Sequence, residues 1–287
     1  MYRLATLLTC HNRRDKTLAC LVALYAACES VAEVDLRVYL TDDGSTDGTA
    51  VAVRAFDPGI DVVQGMGDLY WNRGMVAAWC AALDSSEFYD AFLLLNDDTV
   101  LDGHALAVLL ETARRAGPTA ITVGAVRDPK SGELTYGGIR RTSRWHPGRT
   151  ARLPMAPDPQ DADTFNANCV LVPARCVERI GILDPVFTHA MGDFDYGLRA
   201  RKAGIRVVVA PGTIGTCPLN GAGGSWQDPN LSLRDRLRNL NSPKVLPYRE
   251  WREYLRRHGA PIPWLLAMAP SISVLAGRPK STISDSR

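Results

Sequence analysis

Apolar and polar positions in the first half of the chain alternate between two periods. Short, mostly apolar runs at residues 4–9, 36–41, 61–64, 91–95 and 120–126 predict strands. Between them, residues 16–28, 47–55, 74–83 and 104–116 carry the longer spacing of helices. Strands alternating with helices imply βαβ units and a mostly parallel sheet covered on both faces. From about residue 137 the alternation stops, and residues 140–163, rich in Arg, Pro and Asp, read as a long loop or flap. A strand at 164–172, helices at 173–180 and 192–203, and a strand at 205–210 follow. A glycine-rich loop at 221–225 precedes a basic region at 231–257, expected as two helical pieces parted at Pro243 and Pro247. Residues 278–287 read as a frayed tail.

In such a sheet ligands bind beyond the carboxyl ends of the strands. Three polar clusters fall at such ends: Thr9-Cys10-His11-Asn12-Arg13, Asp42-Asp43-Gly44-Ser45 and Asn96-Asp97-Asp98-Thr99. They converge on one edge, which marks a site.

Composition adds exclusions. The 287 residues carry a net charge of +2, 46% apolar and 22% charged side chains. That is an ordinary globular balance with no basic excess for a nucleic-acid partner. Seven scattered cysteines without a C-x-x-C pair argue against a zinc knuckle or disulfide framework and for reduced thiols, hence a cytoplasmic setting. The first residues read as a strand and not as a signal peptide. Residues 261–277 are apolar but fall short of the roughly 18 uninterrupted apolar residues of a membrane span, and prolines break them. They suit contact with a membrane surface or a partner.

Each cluster has a chemical reading beside a plain one. In the run from Asp42 to Thr49, glycines permit a tight turn and Ser45 or Thr46 can cap a helix, while a carboxylate there can accept from a pyrimidine N–H. Asn96, Asp97 and Asp98 end an apolar strand in hard oxygen ligands that suit Mg2+ or Mn2+, although a solvated acidic turn has the same composition. Asp193 opens a helix, where the dipole favours its charge. It serves there as a cap or as a general base toward a hydroxyl.

Taken in order, TCHNR, DDGSTDGT, GMGDLYWNRGMVAAW, LLLNDDT, FNANCVLVPARCVERIGILDPVF and MGDFDYGLRARKAG resemble the family-2 glycosyltransferases of the GT-A fold, in the branch with rhamnosyl- and other deoxysugar transferases. The resemblance spans residues 4–211. It implies a GT-A domain over residues 1–225, with a nucleotide-sugar half at 1–126 and an acceptor and catalytic half at 127–225, then a helical extension and tail at 226–287. It implies that Thr9, His11, Asn12 and Arg13 lie along the nucleotide, that Asp43 reads the base, and that Trp71, Asn72, Arg73 and Gly74 approach the donor. It places Asn96 and Asp97 at the donor, Asp98 on the metal and Asp193 as the catalytic base. The implied reaction is an inverting transfer, by direct displacement, from a dTDP-deoxysugar such as rhamnose or a UDP-sugar to a saccharide, lipid-linked or small-molecule acceptor. The implied cofactor is Mg2+ or Mn2+.

Three departures stand out: Asn96 for the first aspartate of D-x-D, Gly192 for the glutamate before the base, and Cys217 where relatives carry a metal-binding histidine. His189 is expected to pack in a loop. Arg140, Arg141, Arg144 and Arg149, with Trp145 and His146, are read either as solvated loop or as cover for the donor or for a phosphate-bearing acceptor. The stretch from Arg234 to Arg257 holds seven arginines and one lysine, which fits a solvated face or attraction to anionic lipid, hence peripheral membrane contact at the inner face. A homodimer is compatible with the sequence. A sugar-1-phosphate nucleotidyltransferase or a dinucleotide-binding oxidoreductase requires a glycine-rich loop where TCHNR stands. A non-catalytic carbohydrate-binding relative is opposed by the joint presence of Asp43, Asp98 and Asp193.

Overall fold

The computed structural model describes residues 1–219, 226, 228 and 231–275. The first half runs β1 (Tyr2–Cys10), α1 (Arg14–Glu29), β2 (Val34–Asp42), α2 (Thr49–Phe56), β3 (Asp61–Gln64), α3 (Tyr70–Asp84), β4 (Ala91–Leu95), β5 (Val100–Leu101), α4 (Ala105–Ala116) and β6 (Ile121–Val123). The second half runs β7 (Val126–Arg127), β8 (Leu134–Tyr136), β9 (Gly138–Arg141), β10 (Thr150–Arg152), β11 (Gln160–Asp161), β12 (Thr164–Phe165), β13 (Cys169–Pro173), α5 (Ala174–Ile180), α6 (Gly192–Lys202), β14 (Val207–Val209) and β15 (Gly215–Thr216). Three helices follow: α7 (Leu233–Leu240), α8 (Tyr248–Arg257) and α9 (Pro263–Leu275).

An eight-stranded sheet in the order β11-β14-β6-β13-β4-β1-β2-β3 forms the centre. Residues 4–10 of β1 are all buried, as befits a strand covered on both faces. On one face α1 buries Cys20, Leu21, Leu24 and Ala27, and α4 buries Leu106 and Leu109, the i, i+3, i+4 spacing of a core-facing stripe. On the other, Trp79 of α3 packs against Phe92 of β4 and against Tyr196 of α6. This is the α/β architecture, helices on both faces of one central sheet, that the alternation of periods implied.

The sheet is mixed. β13 runs antiparallel to both of its neighbours, β4 and β6, and β11 runs antiparallel to β14. This reversal brings the turn before β13, residues 166–168, to the same edge as the ends of β1, β2 and β4. The strand expected at 164–172 is therefore two strands with a turn between them, and the one expected at 120–126 divides into β6 and β7. Residues 140–163 are not a structureless loop. β9 pairs with β10 and β12, and β11 joins the main sheet. The short, Pro-interrupted pieces there carry too few residues for a visible period. The helix expected from residue 74 begins at Tyr70, so Trp71, Asn72, Arg73 and Gly74 lie in its first turns.

The extension divides as expected, with Pro243 and Pro247 between α7 and α8. Trp251, Tyr254 and Leu255 of α8 form a third core with Leu240, Ala267 and Val274 and with Phe187 and Leu198 from the main body. Among the described residues no helix is long and apolar enough to cross a membrane. The readings for residues 221–225 and 278–287 lie outside the described residues.

Candidate active site

The ends of β1 and β2 are stitched together by side chains from the first two motifs. Asn12 adopts a left-handed backbone (φ 52°), which asparagine tolerates, and its Oδ1 accepts from the Thr46 amide at 2.8 Å. Its own amide donates to Ser45 Oγ at 2.9 Å. His11 Nδ1 donates to the Asp43 carbonyl at 2.5 Å. Thr9 is buried at the end of β1, and a Cβ on Gly74 would stand 2.2 Å from its Oγ1. Gly74 therefore serves close packing of α3 on β1.

Asp43 is buried and organises the chain beyond β3. Its two oxygens accept from the amides of Gly67, Leu69 and Tyr70 at 2.8–3.0 Å. The leading amides of α3 are thus already engaged: Tyr70 on Asp43, Trp71 on His189 Nδ1 at 3.4 Å, and Asn72 and Arg73 on the Thr188 carbonyl. A helix N-terminus with its first donors satisfied holds no phosphate through them. Any donor contact from this segment comes from side chains. Trp71 reaches the third motif, its Nε1 donating to Asn96 Oδ1 at 2.7 Å. Arg73 is exposed, and its Nε donates to the Pro185 carbonyl. Asn72 is buried and spends its Nδ2 on the carbonyls of Asp184 and Phe187, leaving Oδ1 without a partner.

The acidic strand end carries its own cation. Arg13 donates to Asp97 Oδ1 at 2.7 Å and to Asp98 Oδ2 at 2.8 Å. Burial nonetheless pushes the Asp97 carboxyl up to about 6, because one guanidinium serves two carboxylates. Asp97 Oδ2 is buried without a partner. Cys217 stands 3.5 Å from Asp98 Oδ1. Burial, with Asp98 beside it, pushes this thiol up to about 12, and a protonated thiol suits a hard cation poorly. Among the described residues no group of three His, Cys, Asp or Glu side chains forms a metal cage. The set that remains is Asp98, with Asn96 and Asp97 beside it, which suits an Mg2+- or Mn2+-type ion completed by phosphate oxygens and water.

Across the edge, Asp193 sits in the first turn of α6, two residues after Met191, which is left-handed (φ 69°). Its carboxylate accepts from the amides of Phe194 at 2.8 Å and Ala167 at 3.3 Å, the latter from the turn before β13. No cation pairs with it among the described residues, and burial pushes it up to about 6. Asp195 is different. It is fully buried and bonded to Arg199 at 2.7 Å and His258 at 2.9 Å. Burial alone would raise its pKa, but His258 and Arg199 outweigh that and hold it below the usual value. It fastens α6 to α8 and takes no place at the strand ends.

Several contributors escaped sequence reasoning. The Ala167 amide and Asn168, whose carbonyl accepts from Asn96, sit in the turn that divides the expected strand. His189 does more than pack in a loop, since it caps α3 beside Tyr70, itself left-handed (φ 56°). Of the four non-glycine residues with positive φ among those described, Asn12, Tyr70 and Met191 border this site, as backbone strain at functional edges does. A cavity of about 850 Å3 opens near the starts of β1 and β2, lined by Tyr2, Glu33, Val34 and Asp90, remote from these groups.

The pattern of the glycosyltransferase-like family 2 matches residues 3–259 of the chain. This chain belongs to that family. It is a glycosyltransferase of the nucleotide-sugar type. Among solved structures it is similar to a mannosyltransferase from Pyrobaculum calidifontis in complex with GDP-Man and Mn2+, at 18% identity and a TM-score of 0.52 over 96% of this chain and 75% of that one. It is also similar to GalNAc-T7 with UDP, GalNAc and Mn2+, at 12% identity and a TM-score of 0.54 over 97% of this chain and 58% of that one. These likenesses establish the fold. No curated protein matches the chain.

Proposed function

We propose that the chain is an inverting transferase that moves a sugar from a nucleoside diphosphate, a dTDP-deoxysugar such as rhamnose or a UDP-sugar, to a hydroxyl of a saccharide, lipid-linked or small-molecule acceptor. The observation that carries this reading is Asp193, a carboxyl raised to about 6 with no cation on it among the described residues, presented at the edge where the three strand-end motifs meet. Such a group is ionised near neutral pH and basic enough to take a proton. The acceptor oxygen attacks the anomeric carbon as its proton passes to Asp193. The bond from that carbon to the diphosphate oxygen breaks, the electron pair leaves with the diphosphate, and the configuration inverts.

The remaining roles follow from position. Residues 1–126 hold the donor, and residues 127–225 supply the base and the acceptor side. Thr9, His11, Asn12 and Arg13 border the nucleotide. Asp43 has room for one more donor such as a pyrimidine N–H, because three of its roughly four acceptor directions are taken. Trp71 and Asn96 form the floor under the sugar, and Arg73 reaches it from the rim. A divalent ion, Mg2+ or Mn2+, held by Asp98 and the donor's phosphates, would offset the charge of the departing diphosphate. Arg13 holds Asp97 and Asp98 in place meanwhile. The two similar structures, in complex with Mn2+ and with GDP-Man or UDP, support a metal and a nucleotide donor here.

The test is a thermal-shift panel of dTDP-, UDP- and GDP-sugars with Mn2+, followed by a transfer assay after EDTA treatment. A dTDP- or UDP-sugar is expected to raise the melting temperature. Protection by none of them sinks the reading, and full transfer after EDTA removes the metal from it.

We also assign a peripheral position on the inner face of an anionic membrane. Trp264, Leu265, Met268, Ile272 and Leu275 leave an exposed apolar face on α9, and α8 beside it exposes Arg249, Arg252 and Arg256. Apolar side chains flanked by arginines suit an interfacial helix. Co-sedimentation with phosphatidylglycerol vesicles, weaker in Trp264→Ser/Leu265→Ser, is expected, and equal sedimentation of the variant overturns it.

A further inference from the structure

A second basic feature lies away from the strand ends. A pocket of about 500 Å3 is lined by Arg141 and Arg144 from the β9–β10 hairpin, Arg201 and Lys202 from the end of α6, and His258 after α8, with Asp163 its one carboxylate. Arg201 pairs with Asp163. The other three cations form no ion pair among the described residues. Arg141 rests its Nη2 against the carbonyls of Ser143, Arg144 and His258 at 3.3–3.4 Å, and its Nε is buried without a partner. Lys202 donates to the Arg257 carbonyl, and Arg144 lies over the exposed Trp145 ring at 4.9 Å.

Cations at a helix C-terminus are favoured by the dipole, which accounts for Arg201 and Lys202 at the end of α6. It does not account for Arg141 and Arg144, which a different element brings into the same concavity. Four fixed cations facing one carboxylate repel one another. Their mutual effect is visible in Lys202, whose pKa is lowered by burial and by Arg141 despite the opposing influence of Asp195. His258 faces the pocket from below with its Nε2 committed to Asp195, and burial holds its pKa down, so it adds no charge at neutral pH. The arrangement is complete only with an anion of two or more charges. Guanidinium and ammonium groups together match phosphate oxygens.

We propose that this pocket binds a phosphate-bearing group, through Arg141, Arg144, Arg201 and Lys202. The proposal is independent of the donor reading. The Asp163–Thr164 step links the two places: Asp163 lines this pocket, while Thr164 Oγ1 bonds the Phe194 carbonyl next to Asp193. A phosphorylated ligand seated here therefore lies on the catalytic half of the molecule.

The phosphate can belong to a soluble compound or to a lipid headgroup. The full chain is titrated with inorganic diphosphate by calorimetry and, separately, with phosphatidylglycerol vesicles in the Trp264→Ser/Leu265→Ser background, which removes the apolar face of α9. Each arm is repeated with Arg144→Gln, an exposed position, and with Arg144→Gln/Lys202→Gln. Binding weaker by about tenfold or more in the double variant is expected in one arm. Loss in the diphosphate arm assigns a soluble phosphate, and loss in the vesicle arm alone assigns a headgroup. Absence of binding in both arms, or affinity unchanged by the substitutions, as for an anion in the donor cleft, overturns the proposal. The melting temperature of each variant without ligand confirms that it is folded.

Discussion

A Cβ placed on Gly192 would stand 1.8 Å from Asn72 Oδ1. The residue before Asp193 is thus fixed by a side chain from α3. Asn72 cannot swing aside cheaply, because its Nδ2 holds the carbonyls of Asp184 and Phe187. Gly192→Ala is expected to cost about 1–3 kcal/mol of stability by denaturant unfolding, from overpacking and broken hydrogen bonds. In Gly192→Ala/Asn72→Ala the cost should fall short of the sum of the single costs. Strict additivity would show that the two residues do not compete for the same space.

For Asp193→Asn we expect transfer to fall by about 100-fold or more with donor binding retained, since a base acts in the chemical step. Stability gives a second readout. The folded carboxyl is raised to about 6, so the folded state binds the proton more tightly than the unfolded chain does. Its destabilising effect is absent below the unfolded value of about 3.9 and grows as pH rises toward 6. At pH 8 the variant should be more stable than the parent by about 1–3 kcal/mol, and near pH 4 the two should match. In the parent, kcat should rise with pH through about 6. Asp195→Asn should behave in the opposite sense, losing stability while the chemical step survives in whatever remains folded. An inactive, fully folded Asp195→Asn with an active Asp193→Asn would exchange the two roles.

Arg13→Met removes the one cation that Asp97 and Asp98 share. Breaking a buried pair costs about 3–5 kcal/mol, and the partial exposure of Arg13 reduces this to about 1–3 kcal/mol. Adding Asp97→Asn should recover part of the loss, because it removes the more deeply buried of the stranded charges. If the double variant is less stable than Arg13→Met, the guanidinium is not what holds that charge.

The residues of this site were legible where chemistry is local. Carboxylates after apolar strands announced Asp43, Asp97 and Asp98, and the alternation of periods announced the sheet that gathers them. What was illegible depended on distant partners. That Asn72 faces inward to residues 184–187 follows from α3 starting four residues earlier than its apolar period suggests. Helical polarity in the first turn is set here by caps from Asp43, His189 and Thr188. The reversal of β13 left no local trace, because a fully buried strand reads the same in either direction. Asp193 and Asp195 carry identical side chains two residues apart, and it is the arrival of His258 after α8, beside Arg199, that makes Asp195 the fastener.

The same arrival has a consequence for anyone who recombines such enzymes. Glu250 grips Thr188, whose carbonyl caps α3, while Arg257 and His258 hold Asp184 and Asp195. A chimera that trades the last third of this chain for a relative's, seeking a new acceptor or a new address in the cell, trades those three clasps as well. The exchange boundary that leaves α6 in its own hands lies after residue 258.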